Sequence, residues 1–221
     1  MSLKLEIEAV IKQFMADLPK ETNNSLMGFI GRLVESGIAE KSANVGDKAH
    51  DFTLSNTNGD QVNFYDLLKS GPAIINFYRG GWCPFCSLEL KGYQAMVPEI
   101  NALGASLVAI SPELPDNSLS TVEKLSLEFE VLSDLGNTVA KEFGLVFPLE
   151  PAIREIYKEF QFDLEKINGD DSWTLPIPAT YVVDSDGTII WADVNANYTS
   201  RAEPADVLKA LVQLIESRQA S

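Results

Sequence analysis

The sequence predicts an α/β fold built on a mixed central sheet. Short apolar runs of strand length alternate with helical stretches, a hairpin opens the alternating region, and a second hairpin followed by a helix closes it. With 221 residues the chain is long enough to bury roughly 70% of the surface its unfolded form exposes, which suits one main domain with additions.

From Leu3 to Leu18 the apolar positions Leu3, Ile7, Val10, Ile11, Phe14 and Leu18 recur at helical spacing, and Leu26, Phe29, Ile30, Leu33, Val34 and Ile38 repeat the pattern. Pro19 closes the first helix, Thr22 or Asn24 is placed to cap the second, and Gly37 suits its C-terminal end. Residues 1–44 therefore read as a helical extension and 45–221 as the main domain. Asp51–Leu54, Asn58-Gly59 and Gln61–Phe64 read as a hairpin with a primed turn. Pro72–Tyr78 suits a buried strand and leads through Gly80-Gly81 into a helix running from Cys83 towards Leu103, which Pro98 should kink or interrupt. Further on, Ser106–Ile110 and Val131-Leu132 read as strands, and Ser118–Phe129, Asn137–Phe143 and Glu150–Phe160 as helices. Ala179–Val183, an Asp186-Gly187 turn and Thr188–Ala192 form the closing hairpin, followed by a helix from about Pro204 to Ser217.

Charge departs from the globular average: 32 acidic against 17 basic residues give a net −15, which repels phosphate backbones and anionic membrane surfaces. Nucleic acid is not an expected partner. Ser111–Asp171 alone holds 14 acidic and 5 basic residues, an acidic face whose ordinary account is solvation. No apolar run approaches the roughly 18 residues of a membrane span, and the opening Met-Ser-Leu-Lys-Leu-Glu lacks a signal peptide's apolar stretch, so a cytoplasmic location is expected.

The chemistry concentrates in Cys83-Pro84-Phe85-Cys86, where a strand and a glycine turn give way to a helix. Residues three apart on a helix have β-carbons about 5–6 Å apart, within reach of a disulfide that opens and closes with little backbone movement. Pro84 suits the first helical position, so Cys83 becomes the cap and both sulfurs sit near the positive helix end, which favours a thiolate. A zinc site is disfavoured because only two cysteines and one histidine, His50, are present for four ligands. No cofactor is expected, and His50 reads as an edge residue.

Phe77-Tyr78-Arg79-Gly80-Gly81-Trp82-Cys83-Pro84-Phe85-Cys86 resembles the active-site segment of the alkyl hydroperoxide reductase/thiol-specific antioxidant group, the peroxiredoxin-like branch of the thioredoxin fold. Gly46–Leu54, Leu107–Ser111, Val131–Asp134 and Tyr181–Asp184 with Gly187 resemble the family in order, over roughly Val45 to Val194. The resemblance implies a thioredoxin-like fold and a thiol-dependent antioxidant oxidoreductase. Against the family pattern Pro-x-x-x-Thr-x-x-Cys, Cys86 falls at the peroxide-attacking position, Cys83 replaces the threonine and Arg79 the proline. The family's assisting arginine lies where this chain has Pro178. A proline there is similar to the cis-proline of thioredoxins, which implies a cis Ile177-Pro178 bond positioning a substrate strand.

Two enzymatic readings follow. In one, Cys86 attacks a hydroperoxide, Cys83 resolves the sulfenic acid, and a thioredoxin- or glutathione-type reductant restores the dithiol. In the other, Cys83 attacks a protein or small disulfide and Cys86 resolves it. A third reading is a non-enzymatic redox sensor or binding module. Arg79 reads either as the charge that favours the thiolate or as a solvated loop residue, and Trp82 as a shield beside the thiol. Arg154 and Arg201 are further candidates, and Trp173 reads as a plug rather than a lid. The extra helices and the habit of the fold point to a homodimer.

Overall fold

The computed structural model describes residues 2–219. It opens with α1 (Leu3–Asp17) and α2 (Lys20–Glu35). α2 starts at Lys20 because Pro19, with its fixed φ of −54°, takes the capping position; neither Thr22 nor Asn24 caps it. Gly37, at φ +66°, ends it and donates its N–H to the Val34 carbonyl.

The first hairpin joins β1 (Thr53–Asn56) to β2 (Gln61–Asn63). Its turn is not primed, since Gly59 has positive φ but Asn58 does not. Asn56 accounts for the difference: its carbonyl accepts from Gly59 N–H at 3.1 Å and its side chain accepts from Asn58 and Asp60 N–H, each at 3.0 Å. These bonds hold an ordinary turn closed by a left-handed glycine.

The chain then runs through α3 (Phe64–Leu68), β3 (Ala73–Phe77), α4 (Pro84–Gln94), α5 (Val97–Ala102), β4 (Ser106–Ser111), α6 (Pro115–Leu125) and β5 (Glu130–Ser133). After it come α7 (Thr138–Glu142), β6 (Val146–Pro148), α8 (Pro151–Glu159), α9 (Leu164–Asn168), β7 (Thr174–Pro176), β8 (Ala179–Val183), β9 (Ile189–Val194) and α10 (Pro204–Gln219). The helix expected from Cys83 to Leu103 is two helices, with the break at Ala95-Met96 and Pro98 in the first turn of α5, where its missing N–H costs nothing. The short α3, α9 and the separate β6–β7 pair carry too little periodicity to stand out in the sequence.

Seven strands form the main sheet in the order β2-β1-β5-β4-β3-β8-β9, with β3 parallel to β4 and antiparallel to β8. All five residues of β3 are buried, and its side chains alternate between faces. Ala73, Ile75 and Phe77 enter the larger core with α2 residues Leu26, Phe29, Ile30 and Leu33. Ile74 and Asn76 face the other side, where α4 lies: Ile74 packs with Tyr93 and Asn76 bonds Glu89. The sheet centre thus fixes the start of α4 at its own C-terminal end, where ligands gather in open α/β sheets. Among the described residues no helix is long and apolar enough to cross a membrane.

Ile75 has no solvent exposure, so Ile75→Ala should cost about 2–5 kcal/mol of unfolding free energy. Urea denaturation would measure it, and a loss below about 0.5 kcal/mol, the scale of a surface substitution, would contradict this account of the sheet centre.

Candidate active site

Cys83 sits at the N-cap of α4 with extended backbone, φ −83° and ψ 116°, and Pro84 opens the helix. Cys86 follows in the first turn, and Cys86, Glu89 and Tyr93 share the face turned to the sheet. Gly80 and Gly81 bring the loop close to its neighbours: a β-carbon on Gly80 would lie 2.2 Å from Trp82 Nε1, and one on Gly81 would lie 1.8 Å from Thr121 Oγ1. Glu113, from the segment between β4 and α6, accepts Gly81 N–H at 2.9 Å and so ties the loop down.

Both cysteines are free thiols and almost fully buried, at 1% and 0% exposure. A guanidinium stands at each. Arg79 Nη1 lies 3.6 Å from Cys83 Sγ, and Arg201 Nη2 lies 3.1 Å from Cys86 Sγ. Arg79 is itself buried, donates to the Tyr157 hydroxyl, and lies 4.0 Å over the Tyr198 ring and 4.9 Å from that of Trp82. Arg201 donates to Glu89 Oε2 at 2.9 Å and to the carbonyls of Tyr198 and Ser200. Glu89 Oε1 accepts from Asn76 at 3.1 Å, and Asn76 also reaches Thr180, which bonds the Tyr93 hydroxyl.

These charges decide the ionisation of the pair. Burial pushes the Cys83 thiol up, but the hydrogen bond from Cys86 and the charges of Arg79 and Arg201 outweigh it and bring Cys83 down to about 5. Burial, together with the hydrogen bond to Cys83 and its negative charge, drives Cys86 well above the ordinary thiol range. The pair therefore holds one negative charge at neutral pH, on Cys83, with the proton on Cys86. Burial also raises Glu89 to about 8 against the pull of Arg201, whose charge it shares with the sulfurs. Glu113 is raised to about 7 by burial, opposed by the Gly81 N–H.

Cys83 lines a cavity of about 100 Å³, with Arg79 and Tyr157 beside it and the rings of Phe14, Trp82, Phe160 and Phe162 around it. Its wall is mostly apolar: Trp82 lies 4.9 Å from Phe162 and 5.7 Å from Tyr157, centroid to centroid. Cys86 does not line it.

Of the residues singled out in the sequence, Cys83, Cys86, Arg79, Trp82 and Arg201 come together here. Arg79 is no solvated loop residue. Arg154 does not join them: its Nε bonds the Leu149 carbonyl at 2.8 Å and its guanidinium lies over Trp173. Trp173 is buried, donates to Glu165 at 2.7 Å, and fills the core as a plug. His50 is exposed with its ring against Phe143.

Pro178 requires a correction, because no peptide bond among the described residues is cis. Ile177 N–H bonds the Leu145 carbonyl at 2.9 Å and the Pro178 carbonyl accepts from Asn195, so the chain passes extended from β7 into β8 through a trans bond. Pro178 is buried and does not line the cavity. The sequence reading does not single out Glu89, Glu113, Tyr157 or Tyr198. Glu89 carried a signal, a carboxylate three residues after Cys86 on a helix face that is otherwise apolar.

The AhpC/TSA family profile matches residues 45–192. Chloroplastic peroxiredoxin Q of Populus jackii is 26% identical over 174 residues, covering 79% of this chain and 68% of its own. Peroxiredoxin Bcp of Escherichia coli is 30% identical over 100 residues, 45% of this chain and 64% of that protein. The crystal structure of peroxidoxin BcpB from Mycobacterium tuberculosis shares the fold with a TM-score of 0.61 at 22% identity, over 77% of this chain and 97% of that one.

With Cys83 ionising at about 5, its alkylation rate should be flat above about pH 6 and fall about tenfold per unit below about pH 5, where the thiolate is lost. A rate still climbing about tenfold per unit between about pH 6 and 8, as for an ordinary thiol of pKa about 8.5, would contradict the assignment. Arg79→Met and Arg201→Met should each move the midpoint up by about one unit or more, read from the same alkylation profile.

Proposed function

The chain belongs to the AhpC/TSA family, and on that premise we propose that it is a thiol peroxidase in which Cys83 attacks and Cys86 resolves. The observation that carries this reading is the hydrogen-bonded sulfur pair held between two buried guanidiniums, with only Cys83 facing the cavity.

The Cys83 thiolate attacks the terminal oxygen of a hydroperoxide, the O–O bond breaks, and Cys83 becomes a sulfenic acid. The departing alkoxide takes the proton that Cys86 held against Cys83, leaving as an alcohol, or as water when the substrate is hydrogen peroxide. Cys86, now a thiolate beside Arg201, attacks the sulfenic sulfur and expels hydroxide, closing the disulfide. The sum is one thiolate, one thiol and one hydroperoxide giving a disulfide, an alcohol and hydroxide. Two equivalents of an external thiol then reduce the disulfide and are themselves oxidised. Arg79, 3.6 Å from Cys83, is placed to draw charge from the breaking O–O bond.

This order differs from the family pattern, which assigns attack to Cys86. Both access and charge favour Cys83. A small peroxide suits the cavity better than a protein disulfide, because about 100 Å³ has no room for an extended peptide strand. The same limit favours a small glutathione-type thiol, whose cysteinyl arm alone must enter, over a protein reductant.

Cys83→Ser should abolish hydrogen peroxide consumption. Cys86→Ser should consume one equivalent and retain a sulfenic acid on Cys83 that a dione reagent traps and mass spectrometry locates. Sulfenic acid trapped on Cys86 in the Cys83→Ser protein would instead restore attack by Cys86. If neither variant forms a sulfenic acid but Cys86→Ser captures disulfide substrates on Cys83, the protein is a disulfide oxidoreductase.

A further inference from the structure

Part of the wall around Cys83 comes from residues that the family match leaves out. Phe14 of α1 and Leu26 of α2 line the cavity, whereas the match begins at residue 45. Phe14 stands edge-on to Phe160 at 5.5 Å between centroids, and Phe160 in turn contacts Phe162, whose ring reaches Trp82. Phe14 of the first helix thus extends a chain of aromatic contacts that begins at the thiol loop, and Leu26 of the second adds an aliphatic side chain to the same wall.

The attachment of α1 is directional. Its first turn is bound to the far side of the site: Leu3 and Lys4 N–H donate to the Glu203 carboxylate at 3.0 and 2.8 Å, two residues beyond Arg201. Leu3 and Ile7 are buried in the cluster that contains Cys83, Phe85 and Cys86. From that anchor the helix runs across α4 and delivers Phe14 to the cavity. Phe14 itself remains partly exposed, as do Trp82, Phe160 and Phe162, so these four form the boundary between cavity and solvent.

We propose that α1 and α2 are the specificity element of the thiol site, with Phe14 the residue that sets the size of molecule able to reach Cys83. The proposal rests on the reading that Cys83 meets its substrate through this cavity. It assigns compact hydroperoxides to the site and excludes bulky or peptide-borne substrates by the packing of one aromatic side chain against another. Removing a ring from such a wall opens space that the neighbouring rings, already in mutual contact, cannot wholly fill.

The test compares two thiol reagents, iodoacetamide and a bulky aromatic maleimide, on the full-length protein. Phe14→Ala should raise the rate with the maleimide about tenfold or more, a discrimination typical of pocket size changes, while iodoacetamide changes less than about threefold. Phe14→Leu, which keeps an apolar side chain in the cavity wall, should give an intermediate rise, and Phe160→Ala, which removes the ring that Phe14 packs against, should reproduce the selective effect. Leu5→Ala, on an exposed position of α1, should alter neither rate. Equal acceleration of both reagents in Phe14→Ala and Phe14→Leu, or acceleration of neither, would overturn the proposal. Alkylation reports access to sulfur rather than turnover, so this outcome stands apart from whether the protein consumes peroxide. Where it does, the ratio of kcat/KM for an aromatic hydroperoxide to that for hydrogen peroxide should rise in the same variants.

Discussion

Two guanidinium groups buried beside two sulfur atoms impose the constraint on which the site depends. Arg79 is 2% exposed and the Arg201 side chain 1%, so neither can rely on water to stabilise its charge. A buried charge persists only where it is paired and hydrogen-bonded. For Arg79 the available partners are the Cys83 sulfur, the Tyr157 hydroxyl and the faces of Tyr198 and Trp82; for Arg201 they are Cys86, Glu89 and two carbonyls. The thiolate is therefore as much a structural requirement of the arginines as the arginines are a chemical requirement of the thiolate.

Several distant segments are organised by this mutual dependence. Tyr157 comes from α8, Tyr198 and Arg201 from the loop between β9 and α10, Glu89 from α4, and Asn76 from the middle of β3. Asn76 is a costly residue in a fully buried strand: Glu89 and Thr180 accept its amide hydrogens, while its side-chain oxygen has no hydrogen-bond partner among the described residues. The polar chain from Thr180 through Asn76, Glu89 and Arg201 to Cys86 links the sheet centre to the sulfur, so the geometry of the site is set by strands rather than by loops alone.

The local part of the site was legible in the sequence and the long-range part was not. Cys83, Pro84 and Cys86 announce themselves by spacing, because the relation between a helix cap and its first turn is local. Arg79 lies in the same motif, yet whether it points into solvent or into the protein depends on Tyr157 and Tyr198, far along the chain. Arg201 was nameable as a candidate but Arg154 was equally so, since nothing in linear spacing distinguishes the arginine that reaches the sulfur from the one that bonds a carbonyl beside Trp173. The fold followed the same division. Long periodic helices and apolar strands were readable, whereas the β6–β7 pair depends on cross-chain register, and the Pro178 bond on hydrogen bonds made by Ile177 and Asn195.

In the proposed cycle, oxidation of the sulfur pair changes the electrostatic balance of the site. When the sulfurs join, the negative charge on Cys83 disappears while Arg79 and Arg201 keep theirs. Glu89, which deep burial keeps protonated up to about 8 against the pull of Arg201, then faces a guanidinium that no longer shares its charge with a thiolate and loses its proton more readily. Arg79 has no such carboxylate, and its remaining partners are aromatic rings and a phenol. The disulfide state thus leaves Arg79 a buried cation with no anion beside it among the described residues, whereas in the dithiol state the Cys83 thiolate lies beside it. A lowered thiol pKa and a stabilised reduced form are two expressions of the same interaction, and together they make the disulfide easy to reduce. In the proposed cycle, the charges that lower the Cys83 thiol therefore also favour its return to the thiolate.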